Sequence, residues 1–276
     1  GISRSIDIFH RATKPYQDQG GNYELVTQGA GLRFGVPFSE LDTVYFGGSL
    51  ERTTIKPGTN IPAAYLAYAE EFGYTSMAVP LTIGWSRDDR DSTLAPSTGV
   101  YQRLNTEAGL FGDAHYLRAN YQYQQYVPLT KQFTLAFNGE VGFGKGLGGR
   151  AFPVFKNFYG GGLGSVRGFE QGTLGPRDVT GSVIGGPKKF TLNTEIQSPF
   201  PGAGNDRTLR MFAFADIGNV YGEDEKIRFS EMRASAGVGL SWISPVGPLR
   251  LAYAKPIRKF AGDRIQSLQF QIGTSF

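Results

Sequence analysis

Ser267-Leu268-Gln269-Phe270-Gln271-Ile272-Gly273-Thr274-Ser275-Phe276 closes the chain, and its side chains alternate without a break. Leu268, Phe270, Ile272, Thr274 and Phe276 share one face; Ser267, Gln269, Gln271, Gly273 and Ser275 share the other. A repeat of two belongs to an extended strand, whose successive side chains point to opposite sides. The same division separates Phe133, Leu135, Phe137, Val141 and Phe143 from Gln132, Thr134, Asn138 and Glu140. It also separates Ala234, Ala236, Val238, Leu240 and Trp242 from Arg233, Ser235, Gly237, Gly239 and Ser241.

Strands of water-soluble sandwiches average about 5 to 6 residues, whereas these segments run to roughly 10 or more, the length a tilted strand needs to cross hydrocarbon. The polar face, rich in Gln, Asn, Ser and Thr, then lines a wet interior, and the aromatic face meets lipid. The pattern predicts an all-β fold, an antiparallel transmembrane β-barrel. Strands are expected near 2–11, 22–36, 42–53, 75–87, 98–110, 114–127, 132–143, 190–199, 208–221, 231–243, 248–258 and 266–276, about 12 in all. Short connections such as 37–40, 128–131 and 244–247 alternate with longer ones at 12–21, 54–74 and 144–189. That alternation places the short turns and both termini on the periplasmic rim. In the 54–74 connection, Pro62 and Gly73 bracket a short extracellular helix, with Glu70 and Glu71 on its exposed side.

Composition narrows the class further. A mean hydropathy of -0.25 leaves no apolar run long enough for a membrane helix. Lys and Arg number 28 against 24 Asp and Glu, without a dense basic run, so nucleic acid is not an expected partner. With 0 Cys there is no disulfide framework and no thiolate metal site. Gly1-Ile2-Ser3-Arg4 does not look like a signal peptide. No internal repeat or low-complexity linker divides the chain, so 1–276 reads as a single barrel domain.

Catalytic signals are thin. Gly144-Lys145-Gly146-Leu147-Gly148-Gly149 satisfies the spacing of a dinucleotide loop, but Arg150-Ala151-Phe152-Pro153 cannot open the helix that would hold a pyrophosphate. Asp88-Asp89-Arg90-Asp91 lacks the Gly and terminal Glu of a calcium loop and reads as a solvated turn. No cofactor, no metal and no covalent chemistry are expected, and the chain does not read as an enzyme.

One segment departs from the strand pattern. Phe158-Tyr159-Gly160-Gly161-Gly162-Leu163-Gly164-Ser165-Val166-Arg167-Gly168-Phe169 carries an arginine between apolar residues in a glycine-dense loop. Such an arginine entering an enclosed space needs acidic partners. In 190–199, a lipid-facing Phe190, Leu192 and Ile196 leave Thr191, Asn193, Glu195 and Gln197 inside. In 208–221, keeping Asp216 out of hydrocarbon sends Leu209, Met211, Ala213 and Ala215 outward, with Phe212, Phe214 and Asp216 inside. Glu195 and Asp216 are therefore the expected partners of Arg167. The alternative leaves Arg167 in an extracellular loop while the acids line a pore.

At these residues the chain resembles the BamA family of outer-membrane-protein insertases. The resemblance rests on Val166-Arg167-Gly168-Phe169 within 157–169, on Gly172-Thr173-Leu174-Gly175-Pro176-Arg177, and on Gly142-Phe143-Gly144. It rests also on Phe214-Ala215-Asp216-Ile217-Gly218, on 242–249 and on the Phe-terminated last strand. It implies a lumenal latch of Val166, Arg167, Gly168 and Phe169 on Glu195 and Asp216, made by a long loop folded into the barrel. It implies a lateral seam between first and last strands, where nascent β-barrel clients pair by exchange of backbone hydrogen bonds. Leu268, Phe270, Ile272 and Gly273 map to the seam and Phe276 to a terminal assembly signal. Outer-membrane lipids, and assembly-machine lipoproteins reached through N-terminal domains, are the other implied partners. The family's barrel has 16 strands, about four more than are read here. The chain is then either a fragment without the periplasmic domains and first strands, or a shorter barrel whose seam joins 2–11 to 266–276. A passive pore or polypeptide-secretion channel of the same superfamily is the competing function.

Overall fold

The computed structural model describes residues 1–14, 23–59, 61–202, 208–244 and 247–273. Fourteen strands occur among them, twelve of which form one antiparallel sheet. The wall begins with β1 (Ser3–Thr13), β2 (Glu24–Pro37), β3 (Asp42–Lys56) and β4 (Thr75–Asp88). It continues through β5 (Gly99–Gly112), β6 (Tyr116–Pro128), β7 (Thr134–Gly146), β9 (Lys188–Pro199) and β10 (Leu209–Tyr221). β11 (Arg233–Ser244), β12 (Gly247–Arg258) and β14 (Leu268–Ile272) complete it. Two short strands, β8 (Gly168–Phe169) and β13 (Ile265–Gln266), pair only with each other.

The wall strands follow chain order, each paired antiparallel with the next, as hairpin connections dictate. β2, β3, β4 and β5 run 14 or 15 residues, enough to span a bilayer when tilted. Outward positions are apolar and exposed: Met211, Val238, Leu240, Trp242, Leu251 and Tyr253 project from β10, β11 and β12. Their neighbours Phe212, Phe214, Asp216, Ala252 and Ala254 are buried on the opposite face. An exposed apolar belt of this extent is what a lipid-facing wall presents.

Contacts between distant strands show that the wall curls. Arg210 on β10 donates from Nη1 to the Pro96 carbonyl (3.0 Å) and from Nη2 to the Ala95 carbonyl (2.7 Å), in the turn between β4 and β5. β5 and β10 lie four strand steps apart, roughly 19 Å measured along a flat sheet. The turn therefore reaches across the rim of a curved wall. Asp91 accepts from the Ser97 and Thr98 amides within it. Arg90, read from sequence as solvated, is instead largely enclosed: it pairs with Asp88 at 2.7 Å and lies 4.6 Å over the Tyr101 ring.

Helix α1 (Ala63–Phe72) sits between β3 and β4, with Pro62 before it, Gly73 after it, and Glu70 and Glu71 exposed. Its buried Tyr65, Tyr68 and Ala69 pack with Tyr23, Ile55 and Val154, which covers the end of the lumen opposite the short turns. Ser3 pairs with Gly35 and Ile272 with Leu249, so β1 begins and β14 ends on the short-turn rim.

The end of the chain differs from the unbroken strand expected over 266–276. Residues 265–266 pair with β8 inside the lumen, the ladder changes partner at Ser267, and only 268–272 pair with β12. Gly273 donates to the Pro248 carbonyl (2.7 Å) and adopts φ 89, a left-handed conformation suited to glycine. Opposite it, Pro248 has no N–H with which to continue the ladder. Thr274, Ser275 and Phe276 lie outside the described residues. No ladder joins β1 to β14 among the described residues.

Candidate functional site: a lumenal ion cluster joined to the terminal strand

Residues 147–187, between β7 and β9, pass through the lumen rather than standing clear of it. Val166 and Phe169 are fully buried and pack with Leu174, and Arg167 between them is only 1% exposed. A guanidinium so enclosed is tolerable only where its donors and charge are matched. Asp216 matches it as a fork: Oδ2 accepts from Arg167 Nε (2.7 Å) and Oδ1 from Nη2 (2.6 Å). The Arg167 backbone amide also donates to Asp216 Oδ2 at 3.0 Å, so the carboxylate holds both side chain and main chain. Arg167 Nη1 donates to Glu195 Oε1.

Glu195 has further partners. Arg250 Nη2, from β12, lies 2.8 Å from Oε1 and 2.9 Å from Oε2, and Gln197 Nε2 donates to Oε2 at 2.8 Å. Two guanidinium groups thus meet two carboxylates and the formal charges cancel, which is the condition for burying Arg167, Glu195 and Asp216, while Arg250 stays partly exposed at the edge of the cluster. Below them lie aromatic faces. The Arg167 guanidinium is 3.6 Å from the Phe214 ring centroid, and that of Arg250 is 4.8 Å from Phe212.

The rings have room because β11 is bare beneath them. A Cβ at Gly237 would come within 2.7 Å of the Phe214 ring, and one at Gly239 within 2.4 Å of the Phe212 ring. The polar face of β11 is therefore a shelf for aromatic rings. Asn193 secures the loop on the other side, donating to the Ser165 carbonyl (2.5 Å) while accepting from Asn138 (3.1 Å).

The cluster reaches the terminal strand through Gly168 and Phe169. These two residues form β8 and pair with Gln266 and Ile265. Gln269, 4% exposed on β14, accepts from the Gly168 amide (3.3 Å) and donates to the Phe169 carbonyl (2.7 Å). Gly168 adopts φ 87, and a Cβ there would lie 3.0 Å from that of Ala254. At the covered end, Tyr65 and Tyr159 share a hydrogen bond of 3.0 Å, and burial pushes both phenols up from their ordinary pKa, keeping them neutral partners.

All six residues named for the latch, Val166, Arg167, Gly168, Phe169, Glu195 and Asp216, thus lie in one buried unit. Of those named for the seam, Leu268, Phe270 and Ile272 are exposed on the outer face of β14, Gly273 follows in a bend, and Phe276 is outside the described residues. Arg250, Gln269, Gly237 and Gly239 were not singled out from sequence. Strict alternation would have found the first, since Leu249, Leu251 and Tyr253 face outward and leave Arg250 inside. Among the described residues no group of three or more His, Asp or Glu side chains is placed to hold a metal ion.

Residues 1–276, the whole chain, match the model of the Omp85 superfamily domain. The chain belongs to the Omp85 superfamily. Over 316 aligned residues it is 37% identical to the outer membrane protein assembly factor BamA of Neisseria meningitidis serogroup B. That alignment takes in 100% of this chain and 40% of the Neisseria protein, so the chain spans less than half the length of that relative. Among solved structures, BamA from Haemophilus ducreyi lacking POTRA domains 1-3 superposes with a TM-score of 0.90 at 25% identity, covering 98% of this chain and 58% of that one. CdiB from Acinetobacter baumannii shares the fold alone, with a TM-score of 0.58 at 15% identity over 98% of this chain and 45% of that one.

Proposed function

We propose that this chain is the barrel portion of an outer-membrane protein assembly factor that folds and inserts β-barrel proteins at the edge between its first and last strands. The observation that carries this reading is the state of β14. Among the described residues it pairs with β12 over five positions, presents Leu268, Phe270 and Ile272 to the lipid side, and is tied on its inner face to the loop that fills the lumen. A strand edge so lightly paired is a template for another strand, and the reaction is an exchange of backbone hydrogen bonds with no covalent step. The similarity to the Neisseria and Haemophilus BamA proteins supports the same reading. On this reading the chain sits in a bacterial outer membrane with both termini periplasmic, and its partners are membrane lipids, nascent barrel proteins and, through N-terminal domains, assembly-machine lipoproteins.

The test uses the full-length protein in liposomes. A urea-denatured client barrel is added and its folded fraction followed by heat-modifiable gel migration. Faster client folding than in empty liposomes is expected. Client folding at the empty-liposome rate, together with a steady large conductance in planar bilayers, would replace the insertase with a passive pore.

A further inference from the structure

The loop in the lumen is held a second time, on the opposite wall. Eleven residues before Arg167, Lys156 ends a single turn of 3-10 helix (Val154–Lys156) and extends its ammonium between two acids. Nζ lies 3.1 Å from Glu51 Oε2 on β3 and 2.7 Å from Glu107 Oε1 on β5. All three side chains are mostly enclosed, at 17%, 16% and 23% exposure. Tyr116 on β6 donates its hydroxyl to Glu107 and sets its ring 5.3 Å from the Lys156 ammonium. Arg118, also on β6, donates from Nε to the Lys156 carbonyl (3.0 Å) and stacks 4.1 Å over the Phe158 ring. The residues just before Lys156 join the covered end: Val154 packs with Tyr65 and Tyr68 of α1, and Phe155 stands edge-on to Tyr68.

We propose that Lys156 is a positioning residue, a second anchor that pins the first arm of the lumenal loop to β3 and β5 while Arg167 pins the second arm to β9 and β10. The two sets of ties share no side chain. Glu51 and Glu107 converge on one cation, so taking that cation away leaves two mostly enclosed carboxylates without it, an arrangement unstable against water entry and side-chain swinging. The first arm should then open on its own while the second stays docked. In the assembly reaction, on which this inference rests only for its consequence, a loop stretched between both walls holds β8 at a fixed height against β13 and β14.

Amide exchange separates the arms, because each carries its own hydrogen-bonded reporters. Lys156, Asn157 and Phe158 amides bond to the Pro153, Val154 and Gly186 carbonyls in the first arm. Arg167, Gly168 and Glu170 amides bond to Asp216, Gln269 and the Arg264 carbonyl in the second. In the folded full-length protein in detergent, Lys156→Met should speed exchange over 150–158 by about tenfold or more and leave 163–170 within about twofold of the parent. Lys156→Arg should restore protection, since the charge and not the shape is what the two acids hold. Glu51→Gln, a milder change, should give an intermediate rate and serves if Lys156→Met does not fold. Unchanged exchange over 150–158, or equal loosening of both arms, would overturn the second anchor. Client folding in liposomes, slowed several-fold by Lys156→Met and rescued by Lys156→Arg, reads the consequence. A parent protein that folds no client, while the exchange pattern holds, would remove the insertase reading and leave the anchor standing.

Discussion

The two edges of the sheet are built from similar extended chain but are secured in different ways. β1 pairs with β2 without interruption from Ser3↔Gly35 to Thr13↔Leu25, and nearly all of its side chains are exposed. Among the described residues β14 pairs with β12 from Leu249↔Ile272 to Tyr253↔Leu268, yet its inward Gln269 is buried and bonded to the loop on both amide atoms. One edge depends on its ladder. The other has less than half the ladder and is fastened from inside by a segment about 100 residues earlier in the chain. The stability of the terminal edge should therefore follow the ion cluster, and that of the first edge should not.

The strongest way to break this contrast is Arg167→Ala. Removing the guanidinium leaves Asp216, 1% exposed, as a buried carboxylate without its cation, while Glu195 keeps Arg250. Losing one partner of a buried pair costs about 3–5 kcal/mol. A urea titration of the folded barrel in detergent should show a loss of that order, and amide exchange should rise over 268–272 while 3–13 stays as it was. Equal loosening at both edges would mean that the cluster supports the barrel generally.

Gly168→Ala acts on the joint itself. The residue holds φ 87, where a side chain is strained, and the new Cβ would press on Ala254. A cost of about 1–3 kcal/mol is expected, with β8 and β13 separating before the ion cluster does. Exchange at the Glu170 amide, bonded to the Arg264 carbonyl, reports that separation. Protection there equal to the parent's would show that β8 tolerates the strain without leaving β13.

Alternation in the sequence said which side chains face inward, and from that Glu195 and Asp216 followed, because an acid in hydrocarbon is expensive. It carried no information about which inward residues meet across the lumen. Gln269 bonding Phe169 and Arg250 bonding Glu195 depend on the curl of the wall and on the depth to which the loop descends, and local pattern encodes neither. Gly237 and Gly239 alternated as part of a polar face, with nothing to show that they make space for Phe214 and Phe212. The end of the chain departs from its apolar repeat for a related reason. The repeat runs unbroken from Ser267, but among the described residues the ladder with β12 ends at Ile272, next to a Pro248 that has no N–H to donate.

A smaller effect is expected from Gln269→Ala. It removes the bonds to the Gly168 amide and the Phe169 carbonyl, the carbonyl still accepting from the Gly162 amide (3.0 Å), a loss of about 1 kcal/mol, without touching any charge. Crosslinking makes a direct measurement, since with 0 Cys in the chain a cysteine pair introduced at 169 and 265 would be unique. Slower crosslinking in Gln269→Ala than in the parent pair is the expected result. An unchanged rate would place the joint in the β8–β13 ladder alone.

The smallest effect belongs to the first edge. Ser3 donates its hydroxyl to the Gly35 carbonyl at 3.3 Å, a long bond on an exposed strand where water replaces either partner without penalty. Ser3→Ala should change the urea midpoint by less than about 0.5 kcal/mol, as surface substitutions generally do. Exchange over 268–272 should also be unmoved, since β1 shares no ladder with β14 among the described residues. Paired with Gln269→Ala, this substitution isolates the contrast: each removes side-chain hydrogen bonding near one edge, and only the bonds that run inward to the loop should be felt along the strand. A Ser3→Ala protein that loosened 268–272 would require the two edges to communicate directly.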